Sequence, residues 1–145
     1  MFLGKHACQL EQDLRLLVPA PFRGQLSSKL YVTHGFDRNL LILTSDAFQE
    51  IYARAKSLNI ADPLARLLLR LILGSAYESG ADPEGRMALS PELVEYASLK
   101  DEVLAVGQGD YFEIWSAILW NQQKSQIDDA ETNASRFAQL NIATR

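Results

Sequence analysis

Cysteine is nearly missing from this chain: Cys8 stands alone among 145 residues. One thiol cannot close an internal disulfide or build a zinc knuckle. Histidine is almost as scarce, and His6 and His34, 28 positions apart, match no common zinc spacing. Long apolar runs are missing too. The best candidate, around Leu67 to Leu73, is cut by Arg70, and no stretch reaches the ~18 uninterrupted apolar residues of a membrane span. The opening MFLGKHACQL is broken by Lys5 and His6, so it does not read as a secretory signal. These absences lead us to expect a soluble, cytoplasmic protein with no membrane span and no metal.

The parts of an enzyme are also lacking. Cys8 lies two residues from His6, and in a strand the two side chains would share a face, but no third group orients them. Asp82 and Glu84 form a pair of nearby carboxylates without the further ligands of an EF-hand. Neither common glycine-rich phosphate cradle is present. No catalytic residue, cofactor or small-molecule substrate is therefore expected.

What is present is the composition of a folded domain, with 48% hydrophobic and 22% charged residues. The length suits one ordinary domain or two small fused halves. The net charge of −4 conceals an asymmetry: residues 1–73 carry +3 and residues 74–145 carry −7. Ordinary surface variation is the simpler reading. The alternative is a polarised molecule whose first half faces phosphate, or whose halves attract one another between subunits.

Two blocks recur in the same order. Glu11-Gln12-Asp13-Leu14-Arg15-Leu16-Leu17-Val18-Pro19 is echoed 71 residues later by Asp82-Pro83-Glu84-Gly85-Arg86-Met87-Ala88-Leu89-Ser90. Arg38 to Thr44 is echoed 72 residues later by Asp110 to Ser116. Each unit runs acidic turn, arginine, short apolar strand, spacer, second apolar strand, helix.

Strands are predicted at residues 16–18 and 87–89, 29–33 and 102–106, and 40–43 and 112–115, with Gly35 and Gly107 marking turns. Ser45 is the predicted N-cap of a helix carrying Phe48, Ile51, Tyr52, Ala55 and Leu58 on one stripe. Asp62-Pro63 starts a second helix over residues 64–73, apolar almost all round and so expected to be buried against the β-units or a neighbouring subunit. Ser90-Pro91 opens a short helix, and Ile118-Leu119-Trp120 begins the last substantial one. Residues 128–145 read as a loose tail with one helical turn near Phe137 and Leu140.

One pattern holds chemistry. In Asp82-Pro83-Glu84-Gly85-Arg86 an aspartate starts the turn, proline fixes the next residue, and Gly85 is free to take positive φ. Arg86 then leaves in a fixed direction, and its planar fork suits phosphate or a guanine edge. Taken alone, five such residues are an ordinary hairpin turn whose arginine pairs with an acid. The near-duplicate at Arg15 shifts the balance toward a repeated reading element.

From residue 1 to about residue 125 the chain resembles the MraZ family, whose members carry two AbrB-like (SpoVT-AbrB) units. The likeness rests on Met1-Phe2-x-Gly4, the Arg15 block ending in Val18-Pro19, and Phe22-Arg23. It continues through Asp62-Pro63-x-x-Arg66-x-x-x-Arg70 with Gly74, Ala76-x-Glu78, Asp82-x-x-Gly85-Arg86, and Val106-Gly107-Gln108 leading to Phe112-Glu113-Ile114-Trp115. The resemblance implies an α+β, β-rich fold of tandem swapped-hairpin β-barrel units related by a pseudo-twofold. The first unit would span residues 5–48, a helical connector 49–76, the second unit 77–120, and a C-terminal helix and tail 121–145. It further implies a nucleoid-associated homo-oligomeric ring that binds double-stranded DNA. Its sites would be short direct repeats upstream of the division and cell-wall gene cluster, and it would usually repress its own operon. Arg15 and Arg86 inherit the DNA-contacting role, Asp82 and Gly85 shape the turn, and Arg66 and Arg70 sit one helical turn apart where they could bind phosphate or pair across subunits.

The first motif departs from the family pattern, with Glu11, Asp13 and Leu14 in place of Asp, Lys and Gly. Leu14 is expected to resist positive φ, so that the first turn takes another shape or is strained, and Asp13 to repel phosphate. On this basis Arg86 is expected to read bases and Arg15 to touch phosphate. The runner-up function is a ring-forming scaffold or interaction protein with weakened DNA binding.

Overall fold

The computed structural model describes residues 1–26 and 29–142. Eight strands and six helices follow one another as β1 (Lys5–Gln9), β2 (Arg15–Leu17), α1 (Ala20–Arg23), β3 (Leu30–His34), β4 (Leu40–Thr44), α2 (Ser45–Ala55), α3 (Pro63–Ile72), β5 (Tyr77–Ser79), β6 (Arg86–Ala88), α4 (Pro91–Tyr96), β7 (Glu102–Gly107), β8 (Tyr111–Ser116), α5 (Ala117–Ile127) and α6 (Ala130–Ala138) among the described residues.

Six strands form one antiparallel sheet in the order β1-β7-β8-β4-β3-β5, and β2 pairs with β6 in a separate two-stranded ladder. Exchanging the two units, β1 for β5, β3 for β7 and β4 for β8, reverses the order of the sheet and leaves it otherwise unchanged. The first strand of each unit lies on the hairpin of the other: β1 on β7, with Lys5 opposite Val106, and β5 on β3, with Leu30 opposite Ser79. The units are thus interlocked, not stacked. The architecture is α+β with antiparallel strands, and among the described residues the large sheet does not close on itself, its edges being β1 and β5.

Alternation along the strands sorts the side chains. Leu30, Val32, Leu40, Ile42, Val103, Ala105, Phe112 and Ile114 face one side and join Leu16, Val18, Phe22, Met87 and Leu93 in the main core. The β2–β6 ladder, with α1 and α4, therefore lids the inner face of the sheet. On the outer face α2 packs over Leu41, Leu43 and Tyr31, with the Tyr31 and Phe48 rings stacked at 4.2 Å. In the equivalent place α5 covers Val106 and Trp115, and Trp115 meets Trp120 edge-on at 5.4 Å.

Caps follow the repeat as well. Thr44 Oγ1 accepts the Ala47 N–H at 3.2 Å and, 72 residues on, Ser116 Oγ accepts the Leu119 N–H at 3.0 Å. The cap of α2 is therefore Thr44, one residue before the expected Ser45. α3 starts as expected, with Asp62 Oδ1 accepting from Leu64 N–H at 2.9 Å and Pro63 in the first turn. Of the two expected ways of burying it, the β-units cover only part: Ala65 and Ile72 are buried, while Leu64 and Leu67 are 71% and 62% exposed within the single chain. Thr33 Oγ1 donates to the Ile72 carbonyl and holds the far end of α3 to β3. The expected loose tail with one helical turn contains a full helix, Ala130–Ala138. Asp129 caps α6 through the Thr132 N–H, and buried Asn133 donates to the Gln126 carbonyl, fastening the α5–α6 corner. Residues 143–145 of that tail lie outside the described residues.

Gly107, read from sequence as a turn residue, is the last residue of β7, and its hydrogen atom is what the fold uses. A Cβ there would lie 2.4 Å from the Phe2 carbonyl oxygen. The chain start is stitched across this point by Phe2 N–H to Gly109 O at 2.7 Å and Gly107 N–H to Gly4 O at 2.8 Å. Phe2 thereby enters the core, with ring centroids 5.2 Å from Phe22 and 5.1 Å from Phe112. Truncating a buried aromatic ring leaves a cavity worth ~3 kcal/mol or more. Phe2→Ala should lower unfolding stability by about that amount in urea titration, although it removes a side chain at the extreme chain start.

Glu113 sits half-buried on the outer face and accepts from Trp115 Nε1 at 3.0 Å. Burial raises its carboxyl above the ordinary glutamate value, against the lowering effect of the Trp115 and Asn39 hydrogen bonds. A raised folded-state value means that the proton stabilises the fold. That contribution is complete below the unfolded glutamate value and is lost as pH rises through the folded one. Glu113→Gln should raise the melting temperature at neutral pH, with the gain shrinking as pH falls from the raised folded value toward the usual glutamate value and gone below it.

Candidate nucleic-acid interface

The β2–β6 ladder pairs Arg15 with Ala88, Leu16 with Met87 and Leu17 with Arg86. The central pair points into the core. Arg15 and Arg86, each the first residue of its strand, therefore share the opposite, outward face as diagonal neighbours, with backbones about 7–8 Å apart. This is the juxtaposition that the repeat implied without showing.

The two turns that aim these arginines have one geometry. In the second, Gly85 N–H donates to Asp82 O at 2.9 Å and Asp82 N–H to Arg86 O at 2.9 Å; in the first, Leu14 N–H donates to Glu11 O at 3.0 Å and Glu11 N–H to Arg15 O at 2.8 Å. Gly85 has φ +85° and Leu14 has φ +63°. Of the two outcomes expected for Leu14, another turn shape or strain, the structure shows strain. Leu14 occupies the left-handed region at a local cost of about 1–2 kcal/mol, offset by its packing against the main core and by Leu89 N–H donating to its carbonyl at 2.9 Å. Gly85 has no such latitude. A Cβ there would lie 2.6 Å from Arg23 Nε, which donates to the Val18 carbonyl at 2.8 Å.

The difference between the turns lies in their carboxylates. Asp82 spends one oxygen on its own turn, accepting from Glu84 N–H at 2.9 Å and Arg86 N–H at 3.0 Å. These bonds, the one from Arg86 first, hold its carboxyl below the usual aspartate value. Glu11, a methylene longer, has no such bond; its Oε1 accepts from Arg86 Nε at 2.8 Å across the ladder. Glu84 Oε2 meets the same guanidinium at 2.9 Å. The Glu11 hydrogen bond, followed by its charge, raises the Arg86 value still further. Arg15 is more loosely held, by Asp13 at 3.3 Å and by Asp82 at 4.0 Å. Its side chain is 52% exposed against 30% for Arg86. Asp13, expected to repel phosphate, is in the first instance the partner of Arg15.

The structure brings Arg15, Arg86, Asp82 and Gly85 into one neighbourhood, which the repeat alone did not indicate, and adds Glu11 as a partner of Arg86. The signal was available: glutamate stands where the second unit has aspartate, and it is too long for that turn bond. Arg66 and Arg70 lie elsewhere, exposed on α3. Arg66 donates to the carbonyls of Ile60 at 2.9 Å and Ala61 at 3.1 Å, bracing the start of its own helix. His6 and Cys8 lie on β1, and burial pushes the Cys8 thiol up to about 12. No group of three or more metal-binding side chains occurs among the described residues.

Set against known proteins, the chain matches the family described as "MraZ protein, putative antitoxin-like" twice, over residues 1–71 and again over 72–141. The chain belongs to the MraZ family. The double match coincides with the two interlocked units and with the two equivalent turns. Among similar relatives, a protein of Herpetosiphon aurantiacus named transcriptional regulator MraZ is 39% identical, across 98% of this chain and all of its own. One of Thermomicrobium roseum with the same name is 37% identical across 97% and 99%. One of Mycolicibacterium smegmatis, also so named, is 35% identical across 89% and 90%. No helix among the described residues is long and apolar enough to cross a membrane.

Gly85→Ala should cost about 1–2 kcal/mol from the positive φ alone. The displaced Arg23 adds to this, so a thermal melt should show a clear loss, whereas an alanine at Gly109, where nothing lies within 4 Å of an added Cβ, should bear only the φ cost.

Proposed function

We propose that this MraZ-family chain is a sequence-specific DNA-binding transcriptional regulator, acting without catalysis or cofactor. The observation that carries the reading is the pair of equivalent turns that the β2–β6 ladder sets on one face, each launching an arginine toward solvent. The names of the relatives support it. The units at residues 5–48 and 77–120 act as one reading head, interlocked as two chains are in swapped-hairpin AbrB-type dimers, with residues 49–76 as connector and 121–145 as C-terminal extension. In this reading the protein is cytoplasmic and nucleoid-associated, and represses its own operon in the division and cell-wall cluster from short direct repeats. A homo-oligomeric ring is the form that repeats of DNA would select. It is supported by exposed Leu64, Leu67 and Ile60 at the start of α3, a larger apolar exposure than one small surface helix ordinarily keeps. Arg70, without an ion pair among the described residues, is the candidate there for phosphate or a neighbouring subunit.

A specific observation favours a second reading. Four carboxylates, Glu11, Asp13, Asp82 and Glu84, surround the two guanidiniums, so the surface is acidic where DNA would approach. That suits a ring-forming scaffold with weak DNA binding. Gel-shift with DNA from upstream of its own gene at two salt concentrations separates the readings. A specific complex that weakens steeply with salt belongs to the regulator, and large oligomers without a shift belong to the scaffold.

Since the turns match and Arg15 is the freer side chain, Arg15→Ala should cost operator affinity about tenfold. Arg86→Ala, which removes a guanidinium already held by two acids, should cost less. The expectation from sequence concerned base reading, assigned to Arg86, and an even affinity loss at Arg15, and not the size of that loss. If both variants bind operator like the parent while melting normally, these turns are not the reading surface.

A further inference from the structure

The two halves differ in one respect that the pseudo-twofold makes easy to isolate. At the first position of the turn the second unit has Asp82, whose carboxylate is consumed by the N–H groups of Glu84 and Arg86. The first unit has Glu11, whose carboxylate spans the ladder to Arg86 at 2.8 Å. The reciprocal contact, Arg15 to Asp82, is 4.0 Å. Shape accounts for the difference: an aspartate oxygen reaches the backbone two residues on, whereas an extra methylene carries it past that backbone and out to a partner. Replacing an aspartate by a glutamate at this position turns a turn-capping residue into a clamp on the other unit's arginine.

We propose that Glu11 is an affinity- and specificity-determining residue of the DNA-reading face, acting as an internal stand-in for phosphate that holds Arg86 and leaves Arg15 as the reading arginine. The inference rests on the DNA-binding role argued above. A bound carboxylate and a DNA phosphate compete for the same guanidinium fork, so Arg86 meets DNA only by leaving Glu11. The Arg86 side chain is 30% exposed and that of Glu11 36%, and the planar contact is joined by Glu84 at 2.9 Å on the other guanidinium nitrogen. The head that repeats in sequence is therefore unequal in action. Half-sites facing the Arg86 turn are read less stringently than those facing the Arg15 turn.

The decisive variant keeps the charge. Glu11→Asp draws the carboxylate back to the Asp13 and Arg15 N–H groups, as Asp82 does in the other unit, and frees Arg86 Nε with no change in net charge, leaving Glu84 on Arg86 Nη1. Glu11→Gln removes the charge and serves as the second variant. Both should bind operator DNA about two- to fivefold more tightly per site, the range of a partly exposed ion pair. The slope of log affinity against log salt should steepen by about 0.9, one more phosphate contact. Both gains should vanish in an Arg86→Ala background. Without DNA, the Arg86 Nε–Hε resonance should lose its slow exchange and downfield shift in both variants.

Glu11→Gln binding more tightly while Glu11→Asp does not means that bulk charge and not the clamp sets affinity, which overturns the proposal. So does an unchanged Arg86 resonance in both variants, or a gain that survives Arg86→Ala. A parent that fails to shift DNA while Glu11→Asp shifts it supports the clamp in its strongest form. If the resonance loosens and neither parent nor variant binds, the DNA-binding reading itself fails and the proposal with it. If parent and variants bind equally with the resonance loosened, only the clamp's effect on DNA is refuted.

Discussion

Three backbone pairs, Arg15 with Ala88, Leu16 with Met87 and Leu17 with Arg86, bind the two halves of the chain at the point on which everything else leans. The ladder is too short to be stable alone. It persists because Leu16 and Met87 are driven into the space above the large sheet, where both are essentially fully buried. The same burial turns Arg15 and Arg86 outward, since neighbours along a strand point to opposite faces. Core formation and display of the two arginines are one event.

Interlocking enforces this arrangement. Because β1 belongs to the hairpin β7–β8 and β5 to β3–β4, neither half can finish its sheet without the other. The Phe2, Phe22 and Phe112 rings, mutually 5.0–5.2 Å apart, draw on the chain start, the first unit and the second. A molecule tied in this way holds its two turns at a constant separation. Constant separation is what a reader of regularly spaced phosphates requires.

The acids around the arginines show how repetition diverges. Backbone geometry is retained in both turns even where Leu14 must accept a left-handed conformation. Tertiary packing supplies the energy: the bonds to Leu14 from neighbouring strands are as well formed as those to Gly85. Side chains at equivalent positions have meanwhile taken unlike tasks. Asp82 shapes its turn, Glu11 reaches across, and the covered outer face is aliphatic and phenolic under α2 but indole-lined under α5.

How much of this was legible beforehand depends on the range of the interaction concerned. The repeat, the hairpin strands, the start of α3 at Asp62-Pro63 and the two turns that carry Arg15 and Arg86 all follow from local spacing and turn chemistry, which the chain carries within a few residues. The cap at Thr44 was misjudged by a single position because Thr44 and Ser45 are chemically alike. The helix in residues 130–138 was hidden in a polar stretch whose decisive anchor, Asn133 on the Gln126 carbonyl, comes from a neighbouring helix. For Leu14 the choice between a new turn shape and strain was open in the sequence, because an intrinsic φ preference of about 1–2 kcal/mol yields to what the surrounding ladder and core impose. The sequence by itself determined two like units and two arginine-bearing turns. Only the tertiary structure decided that those turns share a face and that Glu11 takes hold of Arg86, because each depends on residues brought together from opposite halves of the chain.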